Sequence, residues 1–249
     1  MIEDWLKVSN TIKDSFCFNL FEYEEKIKAS ENLKKHIGNI ILEEYREKEL
    51  LIKNFKDDTP DVLREYIRRH VYPNTIDHPD QPTKNVRQGD FGEIIAAQII
   101  KLFRSLEICF YKLRWKFNNN RSVFCTDIFT HDSNFSEFRY FEVKTKITYS
   151  KNICIDAHNS LLKDLPNESI ADFLQRLFFN EAKICEQNGQ LNEADILYEK
   201  SLKYCDIVKN SSKYKKYFEI VLITEKKIFK KDILDELERL PPSLPFLTT

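Results

Sequence analysis

The hydrophobic period of this chain switches in its middle third from that of a helix to that of strands, and nothing else constrains its fold as strongly. Over residues 90–106 the apolar positions Ile94, Ile95, Ile99, Ile100, Leu102, Phe103 and Leu106 define a wide helical face. Gly92, Ala96 and Ala97 in the same segment let a neighbour approach closely. Three runs rich in aromatic and β-branched residues follow, at 108–117, 122–130 and 138–147. They are separated by the turn clusters Asn118-Asn119-Asn120 and His131-Asp132-Ser133-Asn134. A helix leading into an antiparallel meander is the organising feature of the middle third and predicts an α/β (α+β mixed) core with helices on its flanks.

The flanks read as helical elaborations of that core. Residues 1–72 are rich in charge, and Leu33, Ile37, Ile40, Ile41, Leu51, Ile52 and Phe55 recur at helical spacing. Thr59-Pro60-Asp61 is a helix start, and a short helix through Arg69 is expected after it. Pro73, Pro79 and Pro82 mark 73–84 as a proline-rich linker, leaving 85–249 as the core. Within the core, about 169–206 reads as a helical hairpin insertion. Its 189–202 segment resembles the second helix of a tetratricopeptide repeat, but a single copy makes a hairpin and no solenoid. One more strand at 217–224, a helix at 231–240 and an extended proline-containing tail complete the reading.

Composition narrows the class. With 42% apolar and 13% aromatic residues in 249, the chain is too apolar to be disordered. Its apolar runs are only a handful of residues long, too short to span a bilayer, and the acidic start lacks an export leader, so a cytoplasmic location is expected. Six cysteines without a C-x-x-C pair argue for reduced thiols and against zinc. A net charge of −1 removes the argument that a globally basic protein binds nucleic acid, so any such role must rest on local charge.

Chemistry concentrates on the third run. Strand side chains alternate, so Glu142 and Lys144 share one face while Phe141 and Val143 take the other. If the second and third runs pair through the 131–137 loop, Asp127 comes beside Glu142. Two carboxylates there, with the backbone carbonyl of Val143, would offer oxygen donors to a hard divalent cation. Lys144 would steady a water or a developing charge. A further acid, Glu93, sits on the preceding helix. Glu-x-Lys also occurs at 24–26, 181–183 and 225–227, but only 142–144 has an acid on a partnering strand and another on a preceding helix. Its neighbours Phe138, Tyr140, Phe141 and Val143 are too apolar for an open surface.

A helical Glu, then Asp, then Glu-x-Lys on consecutive strands resembles the PD-(D/E)xK nuclease superfamily with its restriction-endonuclease-like core. Glu93, Asp127, Glu142 and Lys144 match its motif residues, with Thr126 where the family name has proline. More narrowly, Arg87-Gln88-Gly89-Asp90-Phe91-Gly92-Glu93-Ile94-Ile95 together with Tyr140-Phe141-Glu142-Val143-Lys144-Thr145-Lys146 is similar to HamA, the small subunit of Hachiman anti-phage defence systems. The core match covers about residues 85–165. The resemblance implies a DNase dependent on Mg²⁺ or Mn²⁺, working with a large, HamB-like helicase subunit. Asp127, Glu142, Val143 and Glu93 would hold the metal, and Lys144 would assist the attacking water.

Local charge agrees with a DNA partner. Residues 101–121 carry six basic side chains against the single acid Glu107, and 209–231 carry eight lysines against two glutamates. Arg114 and Lys116 alternate on one face of the first run. With Arg121 in the following turn and Lys146 beyond the Glu-x-Lys pair, they are the expected phosphate contacts. A second reading, a non-catalytic subunit that binds nucleic acid or docks the helicase, would need no clustered carboxylates beside a phosphate.

Overall fold

The computed structural model of the chain describes residues 2–11, 20–45, 48–104, 106–115, 126–164, 169–230 and 232–239. It opens with a single turn, α1 (Ile2–Trp5), and an antiparallel hairpin of β1 (Leu6–Thr11) and β2 (Leu20–Glu25). Helices α2 (Glu31–Tyr45), α3 (Lys48–Asn54) and α4 (Pro60–Tyr66) follow, the last running into a π turn at Ile67–Val71. The expectation of an all-helical 1–72 therefore misses a hairpin. Its strands are short, Val8 and Phe21 stay exposed, and Leu6 and Tyr23 turn onto the cluster of Ile2, Leu33, Ile37 and Ile95. So few inward positions give no readable period of two.

Residues 73–80 run without regular structure, and α5 (Gln81–Phe103) then starts well before residue 90. Asp80 caps it, accepting the Thr83 N–H at 2.8 Å, and Pro82 falls in the first turn. Proline there removes only an N–H that has no helical partner. The last four residues of the expected linker thus belong to the helix.

The central sheet has the order β3-β4-β5-β6, built from β3 (Glu107–Tyr111), β4 (Ile128–His131), β5 (Glu137–Lys146) and β6 (Lys215–Thr224). The first three pair antiparallel, as the meander predicts, while β6 lies parallel to β5. Parallel neighbours need a long crossover. Here it is supplied by α6 (Ile153–Asp164), α7 (Ser169–Gln187) and α8 (Leu191–Lys209), with α9 (Asp232–Glu238) packed back on α6. The α7–α8 pair is the expected hairpin; Gly189 closes it at φ +77°, a conformation that costs glycine nothing.

Alternation along the strands separates two cores. One face sends Tyr111, Ile128, Phe141 and Val143 against Ile94, Ala97 and Ile100 of α5. The other sends Phe110, Phe129, Phe138, Tyr140 and Phe218 against Leu161, Leu174, Tyr204 and Ile207 of the crossover helices. Glu219 on β6 ties the layers together, accepting from Arg104 at 2.8 Å and Arg139 at 2.7 Å. The first run departs from expectation: its strand ends at Tyr111 and turns into a 3₁₀ segment, Lys112–Trp115. Among the described residues no helix is long and apolar enough to cross a membrane. Cys109, Cys154, Cys185 and Cys205 are free thiols.

The contact of α5 with β5 has no spare room at Gly92. A Cβ placed there would stand 1.6 Å from Thr145 Oγ1 and 2.9 Å from Thr145 Cβ. Rotating the hydroxyl relieves the first clash but not the second. Gly92→Ala gains about 1 kcal/mol of helix propensity, and overpacking costs about 1–3 kcal/mol. A net lowering of the urea midpoint, partly recovered by Thr145→Gly, is the expected outcome.

His131, at the end of β4, is buried against Phe135, Phe138 and Tyr204, and its Nδ1–H donates to the Asp132 carbonyl at 2.6 Å. Burial lowers its pKa below 6.5, although Asp132 and Glu107 act the other way. A base whose pKa is lower in the folded state costs no stability above its unfolded pKa. Stability is then lost as pH falls from about 6.5 toward the folded value. Urea midpoints at pH 8 and pH 5.5 should differ less in His131→Gln than in the wild type.

Candidate functional site

The site forms where three elements end together. The β4–β5 register pairs Ile128 with Phe141, and the Asp127 N–H donates to the Phe141 carbonyl at 3.1 Å. Continuing that register by one residue sets Asp127 opposite Glu142. Asp127 Oδ2 accepts the Val143 N–H at 2.7 Å, so one carboxylate oxygen is fixed by the neighbouring backbone. Lys144 Nζ donates to Glu142 Oε1 at 2.6 Å. From the α5 side, Gln88 donates to the Thr145 carbonyl at 2.7 Å and Gly92 lies against Thr145, which brings Glu93 to the same end of the sheet.

Asp127, Glu142 and Glu93 are all buried, with 2%, 5% and 6% of their surface exposed. Buried carboxylates at such density need cations. One is Lys144. The other, which the sequence reading missed, is Lys112. Its ammonium contacts Asp127 Oδ1 and lies 3.6 Å from Glu93 Oε1, and its backbone N–H donates to the Asp127 carbonyl at 2.9 Å. Burial opposes the charge on Lys112, but Asp127, Glu93 and Glu142 outweigh it and hold the pKa above the ordinary lysine value. Burial, reinforced by the Asp127 charge, raises the Glu142 pKa against the pull of Lys144 and Lys112. A signal for Lys112 existed: a lysine between Tyr111 and Leu113, after Phe110, sits in an apolar stretch and must find carboxylates.

A second acid of α5, Asp90, is also buried and accepts the Tyr45 hydroxyl of α2. Burial, with Asp90 next, pushes the Tyr45 pKa upward, so its proton stays on the phenol. The N-terminal helices thereby reach the acidic edge of the site. Glu44, next to Tyr45, holds Arg114 through two bonds of 2.7 and 3.2 Å.

The structure therefore gathers Glu93, Asp127, Glu142 and Lys144 into one cluster and ties Val143 to it through its amide. It does not put Arg114 on a strand face: the 3₁₀ turn redirects it to Glu44. Lys146 is exposed at the end of β5 beyond Lys144. Lys116 and Arg121 lie outside the described residues. His158, on α6, is buried. A cavity of about 480 Å³ beneath α2 is lined by His36, Glu43, Glu44, Lys101 and Arg114, and none of the four clustered residues lines it.

Among the described residues, no group of three or more His, Cys, Asp or Glu side chains is placed to hold a metal. The Lys112 ammonium contacts both Glu93 and Asp127 there. The donor chemistry still suits a hard divalent ion: Asp127 and Glu142 are carboxylates on paired strands, and their mutual repulsion is what a dication would relieve. Mg²⁺ or Mn²⁺ fits this set; a soft metal does not.

Compared with known proteins, residues 1–244 match a family model described as HamA. No curated protein and no solved structure matches the chain.

Proposed function

The chain belongs to the HamA family, whose name suggests a role in Hachiman anti-phage defence, and we propose that it is a divalent-metal-dependent DNase of that system. The observation that carries this reading is the buried pairing of Asp127 with Glu142, with Lys144 Nζ 2.6 Å from the Glu142 carboxylate. Such an arrangement gains nothing in a simple phosphate binder, because buried carboxylates repel phosphate. The same residues fit the PD-(D/E)xK pattern.

In this reading Asp127 and Glu142, with Glu93 and the Val143 carbonyl, would hold Mg²⁺ or Mn²⁺. When bound, the metal supplies Lewis-acid polarisation of a phosphodiester oxygen and acidifies water. Lys144 is less buried than the acids and holds its ammonium on the Glu142 carboxylate, where it would orient the attacking water and offset charge growing on the phosphate. The Val143 N–H keeps Asp127 from turning away as substrate arrives. Lys146, at the open end of the same strand, draws the DNA backbone toward the cluster. Delivery to DNA falls to a helicase subunit, in keeping with a net charge of −1, which gives the isolated chain little non-specific grip.

The test is a plasmid assay with the chain alone and with a Hachiman helicase subunit added, in Mg²⁺, Mn²⁺ or EDTA. Nicked or linear product that appears with metal and vanishes with EDTA is expected. DNA retention that weakens with salt and never yields product would instead identify a binding subunit.

A further inference from the structure

The proposed chemistry leaves Lys112 without a role, yet two of the clustered acids hold its ammonium. It is nine-tenths buried, at the head of the 3₁₀ turn, with its ammonium on Asp127 Oδ1 and 3.6 Å from Glu93 Oε1. The other Asp127 oxygen is occupied by the Val143 N–H. Both oxygens of the carboxylate best placed to receive a metal are thus engaged, one of them by a cation. We propose that Lys112 sets the metal affinity of this centre: its ammonium is a tethered counter-ion that a divalent ion must displace from Asp127. The inference rests on the reading of the cluster as a metal centre.

Charge and reach both favour such an exchange. Glu93, Asp127 and Glu142 bring three negative charges against two positive ones, from Lys112 and Lys144. A dication in place of Lys112 would balance all three together with Lys144. The lysine stem is flexible, so the ammonium can leave without moving β4 or β5. Its backbone N–H stays on the Asp127 carbonyl throughout. Without metal, Lys112 neutralises the acids and keeps the sheet end folded. With metal, it is released toward the mouth of the site.

Binding of Mn²⁺ to the full-length chain, read from the electron paramagnetic resonance signal of free Mn²⁺, separates the possibilities. Lys112→Met should bind Mn²⁺ roughly tenfold or more tightly than the wild type, because the competing charge is gone. Lys112→Arg, which keeps the charge, should stay close to the wild type. Adding Asp127→Asn to Lys112→Met should reverse the gain. Melting curves give a second readout: metal-free Lys112→Met should melt below the wild type, and saturating Mn²⁺ should raise its Tm by more. Should Lys112→Met be unfolded without metal, folding on addition of Mn²⁺ is the supporting result, and failure to fold overturns the proposal. Affinity in folded Lys112→Met equal to or below that of the wild type, with Asp127→Asn still weakening Mn²⁺ binding, overturns the role of Lys112 and leaves the metal centre standing. No Mn²⁺ binding by any variant removes both.

Discussion

Glu142→Gln is expected to reduce metal-dependent cleavage by about a thousandfold or more, while leaving the metal-free chain at least as stable as the wild type. The first half follows from the loss of a hard anionic donor where the metal would be held, an effect on the order of several kcal/mol in the transition state. The second half follows from the environment of Glu142. Burial, together with the neighbouring Asp127 carboxylate, already raises its pKa, so the ionised side chain is disfavoured by the fold that holds it. A carboxyl group whose pKa is raised on folding costs stability at neutral pH, and a neutral amide of the same shape removes that cost. Glutamine keeps an acceptor for Lys144, which retains most of the 2.6 Å contact. Activity and melting temperature measured on one preparation check both halves. A variant that lost activity because it unfolded would have its melting temperature move the other way.

Asp127→Ala should do the opposite to stability. Asp127 accepts from the Val143 N–H at 2.7 Å and faces the buried Lys112 ammonium, so its removal strands a donor and a charge at once. Leaving a buried ion without its partner costs about 3–5 kcal/mol. Glu93, 3.6 Å from the same ammonium, holds the loss near the lower end, about 3 kcal/mol. Chemical denaturation reads this directly, and Asp127→Asn, which preserves an acceptor for Val143, should recover part of it. Two carboxylates on adjacent strands would thus be told apart by stability alone: Asp127 is needed by the fold, whereas Glu142 is tolerated by it.

The meander was readable because its residues obey a period of two with a clear burial difference. Phe141 and Val143 face α5 while Phe138 and Tyr140 face the crossover helices, and that alternation set Glu142 and Lys144 together. The pairing with Asp127 was readable because the short 131–137 loop leaves few registers. What could not be read depends on where strands stop. Residues 108–117 keep an alternating pattern, but the ladder ends at Tyr111 paired with Ile128, and the 3₁₀ turn sends Lys112 into the acids and Arg114 to Glu44. The parallel attachment of β6 was hidden by the long helical crossover, since partner and direction are decided by Phe218 and Ile220, which pack on the meander from far along the sequence. The N-terminal hairpin turns too few apolar side chains inward to announce itself.

Lys144→Met tests the central claim most directly, because Lys144 is partly exposed, belongs to neither core and can be lost without unfolding the sheet. Plasmid cleavage by the chain with the proposed helicase partner in Mg²⁺ should fall by about a hundredfold or more, with the loss expressed in kcat, while the melting temperature drops because Glu142 loses its ion-pair partner but the chain stays folded at the assay temperature. Cleavage by folded Lys144→Met at the wild-type rate would contradict the assignment of DNA hydrolysis to this cluster.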